Sequence, residues 1–355
     1  MANIIMIGPA PEAKGGIATV IKNFSLHFAS DEHQISYLSS WERGGIWNVC
    51  KVFFRTLKRL SQLIHKESVD IVHIHVAQKG SFFRKALLSR YAQKKGVKVI
   101  LHIHGSQFDV FYKDAPSLLK RIIRGSLQHA DAIVVLSEEW QEFFKELTDT
   151  PITVIENAVM IPAENRYNAH AKNIVTFGRL GERKGSYDIL DVAKMVFKSN
   201  PEINFILYGD GEIKEVSQLI KKRNLSNVTI GGWIGAEEKL DIYPETGLHL
   251  LPSYHEGLPM AILETMAYGI PNISTDVGGI PQVIQNEKNG FLVKPGDSKQ
   301  ITLDILDFFS NETYRNDLSK EAYSMIKVKF SMGVYLNKWE CLYGQLVSIN
   351  RGELR

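Results

Sequence analysis

Cysteine is nearly absent. Cys50 and Cys341 are the only two in 355 residues, and neither belongs to a Cys-x-x-Cys pair. A disulfide framework and a zinc knuckle are thereby excluded, and the usage fits a reducing, cytoplasmic setting. Long apolar runs are missing as well. The longest stretch without a charged residue, the thirteen positions from Asn224 to Ala236, contains Asn, Ser, Thr and three glycines, whereas a membrane-spanning helix needs about 20 apolar residues. No basic leader precedes the first apolar stretch, so a secretory signal is not expected. Asp-x-Asp does not occur, which removes the usual carboxylate pair for a metal held on a diphosphate. The dinucleotide fingerprint Gly-x-Gly-x-x-Gly is incomplete: Lys214 stands where Gly209 and Gly211 require a third glycine, and Gly8 is followed by Pro9. An oxidoreductase is correspondingly disfavoured.

What is present suits a large folded chain. Hydrophobic residues make up 44% and charged residues 23%, a balance that buries a sizeable core under a solvated surface. At roughly 100 to 200 residues per domain the length implies two domains, with a cleft for a ligand between them. The net charge of +3 conceals a skew. From Arg43 to Arg124 there are 17 Lys and Arg against Glu67, Asp70, Asp109 and Asp114, a local excess of 13. That segment is built to face something anionic.

The chain opens as strand, glycine-rich loop and helix: NIIMIG, then Gly8, Pro9, Pro11, Gly15 and Gly16, then IATVIKNFSLHF at helical spacing. The unit recurs through VDIVHIHV, VKVILHIHG and ADAIVVLS, a βαβ pattern with a parallel sheet. Pro151 to Pro162 reads as a linker. The pattern restarts in KNIVTFGRL, NFILYGDG, NVTIGGWI, GLHLLPS and IPNISTD, and two amphipathic helices close the chain. The expected fold is α/β: two doubly wound, Rossmann-like parallel-sheet domains, residues 1–162 and 163–330, with a C-terminal helix over 331–355 packing back toward the first domain.

Chemistry concentrates between Pro252 and Ile284. A strand end runs into Glu256, Gly257, Leu258 and Pro259, and Pro259 sits where a helix begins, since proline is well tolerated in the first turn. The N–H groups of such a turn and the positive dipole end suit a diphosphate. Glu256 lies before the helix and Glu264 inside it, so two carboxylates can hold different hydroxyl-bearing parts of one extended ligand. The spacing equally permits a plain cap at Glu256 and a solvated Glu264. His73 and His75, and likewise His102 and His104, are i, i+2 pairs, each facing one side of a strand. No carboxylate or cysteine accompanies them at ligand spacing, so no metal is expected there.

These residues resemble a known family. Glu256 and Glu264 with the intervening GLPMAIL, followed by ETMAYGIP and DVGG, are similar to the signature of family 4 retaining glycosyltransferases of the GT-B fold. FGRLGERKG from Phe177 to Gly185 resembles that family's donor-diphosphate loop, Gly15 and Gly16 its N-terminal glycine loop, and HIHG at His102 to Gly105 its N-domain histidine motif. The resemblance covers nearly the whole chain. It implies that Arg179 and Lys184 neutralise the leaving diphosphate, with Gly178 in the same loop. Glu264 would hold the ribose, Glu256 the sugar hydroxyls with backbone groups near Gly257 and Leu258, Trp233 and Ile234 the base, and His104 the donor sugar. One position departs: after GGIP the family has Glu, and this chain has Gln282, which removes an ionic role there.

Ile46 to Lys66 combines Trp47, Phe53, Phe54, Leu57, Leu60 and Ile64 with Lys51, Arg55, Lys58 and Arg59. Such a basic amphipathic helix packs on a domain core or lies in an anionic membrane interface, and both uses are compatible. No nucleic-acid module accompanies the patch. The combined expectation is a cytoplasmic retaining glycosyltransferase, peripheral on the inner face of the cell membrane. It would move a hexose or N-acetylhexosamine, without metal or other cofactor, from a nucleotide-diphosphate sugar, UDP-linked by preference, to a lipid-linked or oligosaccharide acceptor in surface polysaccharide assembly. The alternatives are an epimerase or phosphorylase of the same fold, or a non-catalytic nucleotide-sugar sensor.

Overall fold

Strands that are apolar at almost every position, such as IVHIHV and KVILHI, belong where helices cover both faces of a sheet, and the computed structural model places them there. It describes residues 1–10, 13, 15–42 and 44–352, with side chains through 348. Pro11 of the glycine-rich loop and Arg43 at the head of the basic stretch lie outside the described residues. The chain divides into two units, Met1–Asn157 with Met332–Arg355, and Ala158–Ser331. The boundary thus falls inside the stretch expected as a linker, and that stretch also contributes a strand.

The first unit runs β1 (Ala2–Pro9), α1 (Gly16–His27), β2 (His33–Trp41), α2 (Ile46–Lys66), β3 (Ile71–Val76), α3 (Gly80–Lys94) and β4 (Lys98–Ile103). It continues with α4 (Phe108–Lys113), α5 (Ser117–Gln128), β5 (Ala132–Val135), α6 (Glu138–Lys145) and β6 (Ile152–Val154). Its six strands are parallel in the order β2-β1-β3-β4-β5-β6. Ile5, Ile7, Val72, Ile74 and Leu101 pack on one face against Leu60, Leu88 and Phe108. The chain steps from β1 outward to β2 and then across to β3, so the direction of winding reverses between β1 and β3. Ligands of open α/β sheets bind outside the strand ends at such a reversal.

The second unit runs β7 (Asn173–Phe177), α7 (Ser186–Ser199), β8 (Asn204–Tyr208), α8 (Ile213–Lys222), β9 (Val228–Gly232), α9 (Ala236–Ile242) and β10 (Thr246–Leu251). It closes with α10 (Met260–Ala267), β11 (Asn272–Thr275), β12 (Gly290–Val293), α11 (Ser298–Ser310) and α12 (Glu312–Lys329). The order β12-β11-β10-β7-β8-β9, again all parallel, puts its reversal between β7 and β10. Helix α13 (Met332–Gly352) then returns to the first unit. There Trp339 stacks on His73 with ring centres 4.3 Å apart and meets Phe24 edge-on. Among the described residues no helix is long and apolar enough to cross a membrane.

Candidate active site

The carboxyl ends of β7 and β10, at the reversal of the second sheet, carry most of the expected residues. After β7 the chain turns through Gly178 and Gly181, whose φ values of 153° and 149° favour glycine, into a single 3-10 turn, Glu182–Lys184. A Cβ on Gly185 would lie 2.1 Å from the Pro252 carbonyl oxygen, so this loop packs directly on the end of β10. Lys184 forms an ion pair with Glu256, and the two side chains are only 13% and 6% exposed. The Ser253 hydroxyl donates to the same Glu256 Oε1 at 2.7 Å, and Arg183 Nη1 donates to the His255 carbonyl at 3.0 Å. Arg179 is exposed at the mouth of the loop.

Glu256, Gly257 and Leu258 lead into α10, with Pro259 as the residue before its first turn, one place earlier than expected. No acidic residue or side-chain cap occupies that turn, which leaves the positive end of the helix for an anion. Gly278, at φ +57°, and Gly279 close on this segment: a Cβ at 278 would lie 2.1 Å from the Glu256 carbonyl oxygen. Glu264, one turn into α10, pairs with Lys239 at 2.5 Å, and the Lys239 ammonium also sits 5.0 Å over the Phe177 ring. Trp233 is 48% exposed after β9, while Ile234 packs against the Val175, Phe177 and Tyr243 cluster. Gln282 ends the short turn Ile280–Gln282 beside Gly279.

Gly15, Gly16 and His104 belong to the first unit. Gly15, at φ +126°, precedes α1, and a Cβ on either glycine would meet nothing within 4 Å among the described residues. His104 follows β4 and is half-buried. Its Nε2 lies 2.9 Å from Nδ1 of His75, His73 Nε2 lies 3.2 Å from Nδ1 of His102, and His73 Nδ1 lies 2.7 Å from the Tyr343 hydroxyl. Ligating nitrogens of His73, His75 and His102 fall within 4.8 Å of one another. His73 stacks on His75 at 18° and His75 on His104 at 20°, while His102 is tilted 31° to His73 and 40° to His75. Burial holds all four rings well below their usual pKa, and the neighbouring charges add to it.

Comparison with known proteins settles the family. Residues 161–325 match the family described as Glycosyl transferases group 1, and residues 14–161 match Glycosyltransferase Family 4. The chain belongs to glycosyltransferase family 4. This glycosyltransferase is 28% identical over 320 residues, 82% of its own chain and 80% of the relative, to the UDP-Gal:alpha-D-GlcNAc-diphosphoundecaprenol alpha-1,3-galactosyltransferase of Escherichia coli. It is 24% identical over 301 residues, 80% and 77% of the two chains, to the N-acetyl-alpha-D-glucosaminyl L-malate synthase of Bacillus anthracis. Among solved structures it is similar to sucrose-phosphate synthase from Thermosynechococcus elongatus, with a TM-score of 0.80 at 16% identity over 98% and 100% of the chains. That likeness is one of fold, and the fold is of the GT-B type.

Two residues of the glycosyltransferase's second unit escaped the sequence reading. Lys239 comes from α9, a short helix 25 positions before its partner Glu264, and no motif marks it. Ser253 lies three residues before Glu256 and holds its carboxylate; only its place in the strand-end segment hinted at a role. Together Lys184, Glu256, Lys239 and Glu264 form two ion pairs, one before α10 and one on it. A cation beside a helix start stabilises charge developing on a leaving phosphate without reorganisation, and each carboxylate can accept from hydroxyls.

Proposed function

We propose that this glycosyltransferase moves a hexose or N-acetylhexosamine, with retention of configuration, from a UDP-sugar to a hydroxyl of a lipid-linked or oligosaccharide acceptor in surface polysaccharide assembly. The observation that carries the donor assignment is the Lys184–Glu256 pair at the β7/β10 reversal, beside the uncapped start of α10. In the proposed step the acceptor hydroxyl attacks the anomeric carbon from the face the diphosphate leaves. The bond from that carbon to the phosphate oxygen breaks, and the departing phosphate takes the hydroxyl proton. Arg179, Lys184 and the helix start hold the phosphate charge, Glu256 orients sugar hydroxyls, Glu264 accepts from the ribose, and Trp233 with Ile234 receives the base. His104 is proposed to donate to a sugar hydroxyl. No side-chain nucleophile and no metal is assigned a part.

The first unit is proposed to take the acceptor. The E. coli relative is named for a diphosphoundecaprenol-linked acceptor and the B. anthracis relative for L-malate, and both acceptors carry acidic groups. On α2, Ile46, Trp47 and Phe54 are 71%, 86% and 66% exposed, on the same side as the exposed Lys51 and Lys58. That side supports peripheral binding to an anionic membrane.

A thermal-shift panel of UDP-, GDP-, ADP- and dTDP-sugars with EDTA tests the donor assignment, because specific binding raises stability by RT ln(1 + [L]/Kd). UDP-sugars are expected to stabilise the protein and Glu264→Ala to lose the shift. No response to any sugar nucleotide sinks the reading. Retention is then checked by the anomeric coupling constant of the product.

A further inference from the structure

Lys85 is the most oddly placed charge in the first unit. It sits on α3 and is 5% exposed, and its ammonium makes one hydrogen bond, to the Ser81 hydroxyl at 2.8 Å. No carboxylate of the described residues pairs with it. Burying an uncompensated ammonium is costly, and folds retain such a group where a ligand supplies the counter-charge. Its direction is informative too. Side chains on a helix lean toward the N-terminus, and the bond to Ser81 brings the Lys85 ammonium back to the first turn. Arg84 does the same, its Nη1 lying 3.3 Å from where a Cβ of Gly80 would be. Two cations therefore gather at the positive end of a 15-residue helix that has no acid in its first turn and no side-chain cap. That is the reverse of what the dipole favours.

The place is also the right one. Helix α3 follows β3, at the reversal between β1 and β3 where an open sheet binds ligands. The loop after β4 closes on the same spot: a Cβ on Gly105 would lie 2.6 Å from the side-chain oxygen of Gln78.

We propose that the first turn of α3, with Ser81, Arg84 and Lys85, is the site for a phosphate or diphosphate group of the acceptor. The proposal deepens the acceptor reading and rests on it. A neutral sugar would leave the buried ammonium unpaired, whereas a phosphate dianion compensates both cations and accepts from the Ser81 hydroxyl and the helix N–H groups. The charge on Lys85 also contributes to keeping His75 and His104 neutral.

The test uses the full chain saturated with UDP, titrated calorimetrically with inorganic phosphate and, separately, with farnesyl diphosphate. Phosphate is expected to bind, and Lys85→Met and Arg84→Met to weaken it by about 10-fold or more, while Lys184→Met leaves it unchanged. In the ligand-free protein Lys85→Met is expected to melt at or above the wild-type temperature, because it removes an unpaired buried charge. Tighter binding of the prenyl compound identifies a lipid-linked source, and equal binding a soluble phosphorylated acceptor; either supports the site. Undiminished phosphate binding by Lys85→Met, or a clearly lower melting temperature without ligand, overturns it. If wild type binds phosphate but no UDP-sugar, the donor assignment fails and the phosphate site stands.

Discussion

Lys184 and Glu256 are a nearly buried pair, and such pairs respond asymmetrically to mutation. Lys184→Met leaves the Glu256 carboxylate buried without its cation, at a cost of about 3 kcal/mol. Adding Glu256→Gln removes the stranded charge, so the double variant is expected to recover more than half of that loss in urea unfolding. Both variants are expected to lose about 100-fold or more in turnover, since stabilisation of the leaving phosphate goes with the cation. Equal stability of single and double variants would show that the pair does not act as a unit. Gly278 offers a sharper probe. Alanine there combines φ +57° with a Cβ 2.1 Å from the Glu256 carbonyl. It is expected to cost about 2 kcal/mol and to slow transfer by displacing Glu256. At this scale the sequence exposes the partners that share a motif, Glu256 and Glu264, but not Lys239, whose approach to Glu264 depends on how α9 packs.

The strands most directly legible in the sequence are central ones whose burial is uniform. β3, β4, β5 and β10 are buried along most or all of their length, so their apolar runs are continuous and were read as strands. The strands missed were β2, β6 and β12, and all three lie at sheet edges. An edge strand has one neighbour and partial cover, which lets polar residues interrupt the pattern, as exposed Gln34, Ser36 and Tyr37 do in β2. β6 was hidden between prolines in a stretch that looked like linker. Helix α2 occupies Ile46–Lys66 as its amphipathic spacing required. Because Trp47 and Phe54 project into solvent, replacing both with Ser is expected to change stability by less than about 0.5 kcal/mol. The same change is expected to abolish cosedimentation with phosphatidylglycerol vesicles at low salt. Unchanged cosedimentation would assign α2 to surface packing alone.

On acidification the two units are expected to part company. His73, His75 and His102 are fully buried in the first unit, and burial, ahead of neighbouring charges, lowers their pKa values. Above pH 6.5 these rings are neutral both folded and unfolded and contribute no pH dependence. Below it the unfolded chain takes up protons that the folded unit refuses, so stability falls as pH falls. The slope is about 1.4 kcal/mol per ring per pH unit, or about 4 kcal/mol for the three. In the second unit His249 is the fully buried histidine, held to about 3 by burial. Fluorescence of Trp339, stacked on His73, is therefore expected to report loss of the first unit at a higher pH than far-UV dichroism reports loss of the whole. A single coincident transition contradicts this. The same helix supplies a second test: ending the chain at Ser331 removes Trp339 and Tyr343, and the second unit is expected to keep its melting transition while the first does not form.

The return of α13 to the first unit also has a consequence in time. The 174 residues of the second unit, Ala158–Ser331, separate the two parts of the first. At roughly 5–20 residues per second of synthesis, a nascent chain spends on the order of ten to thirty seconds with β1 to β6 made and the helix that covers His73 still untranslated. The first unit is begun first and completed last. A chain released between Ser331 and the end of α13 therefore has a second unit that is whole and a first unit that still lacks the helix against which His73 packs.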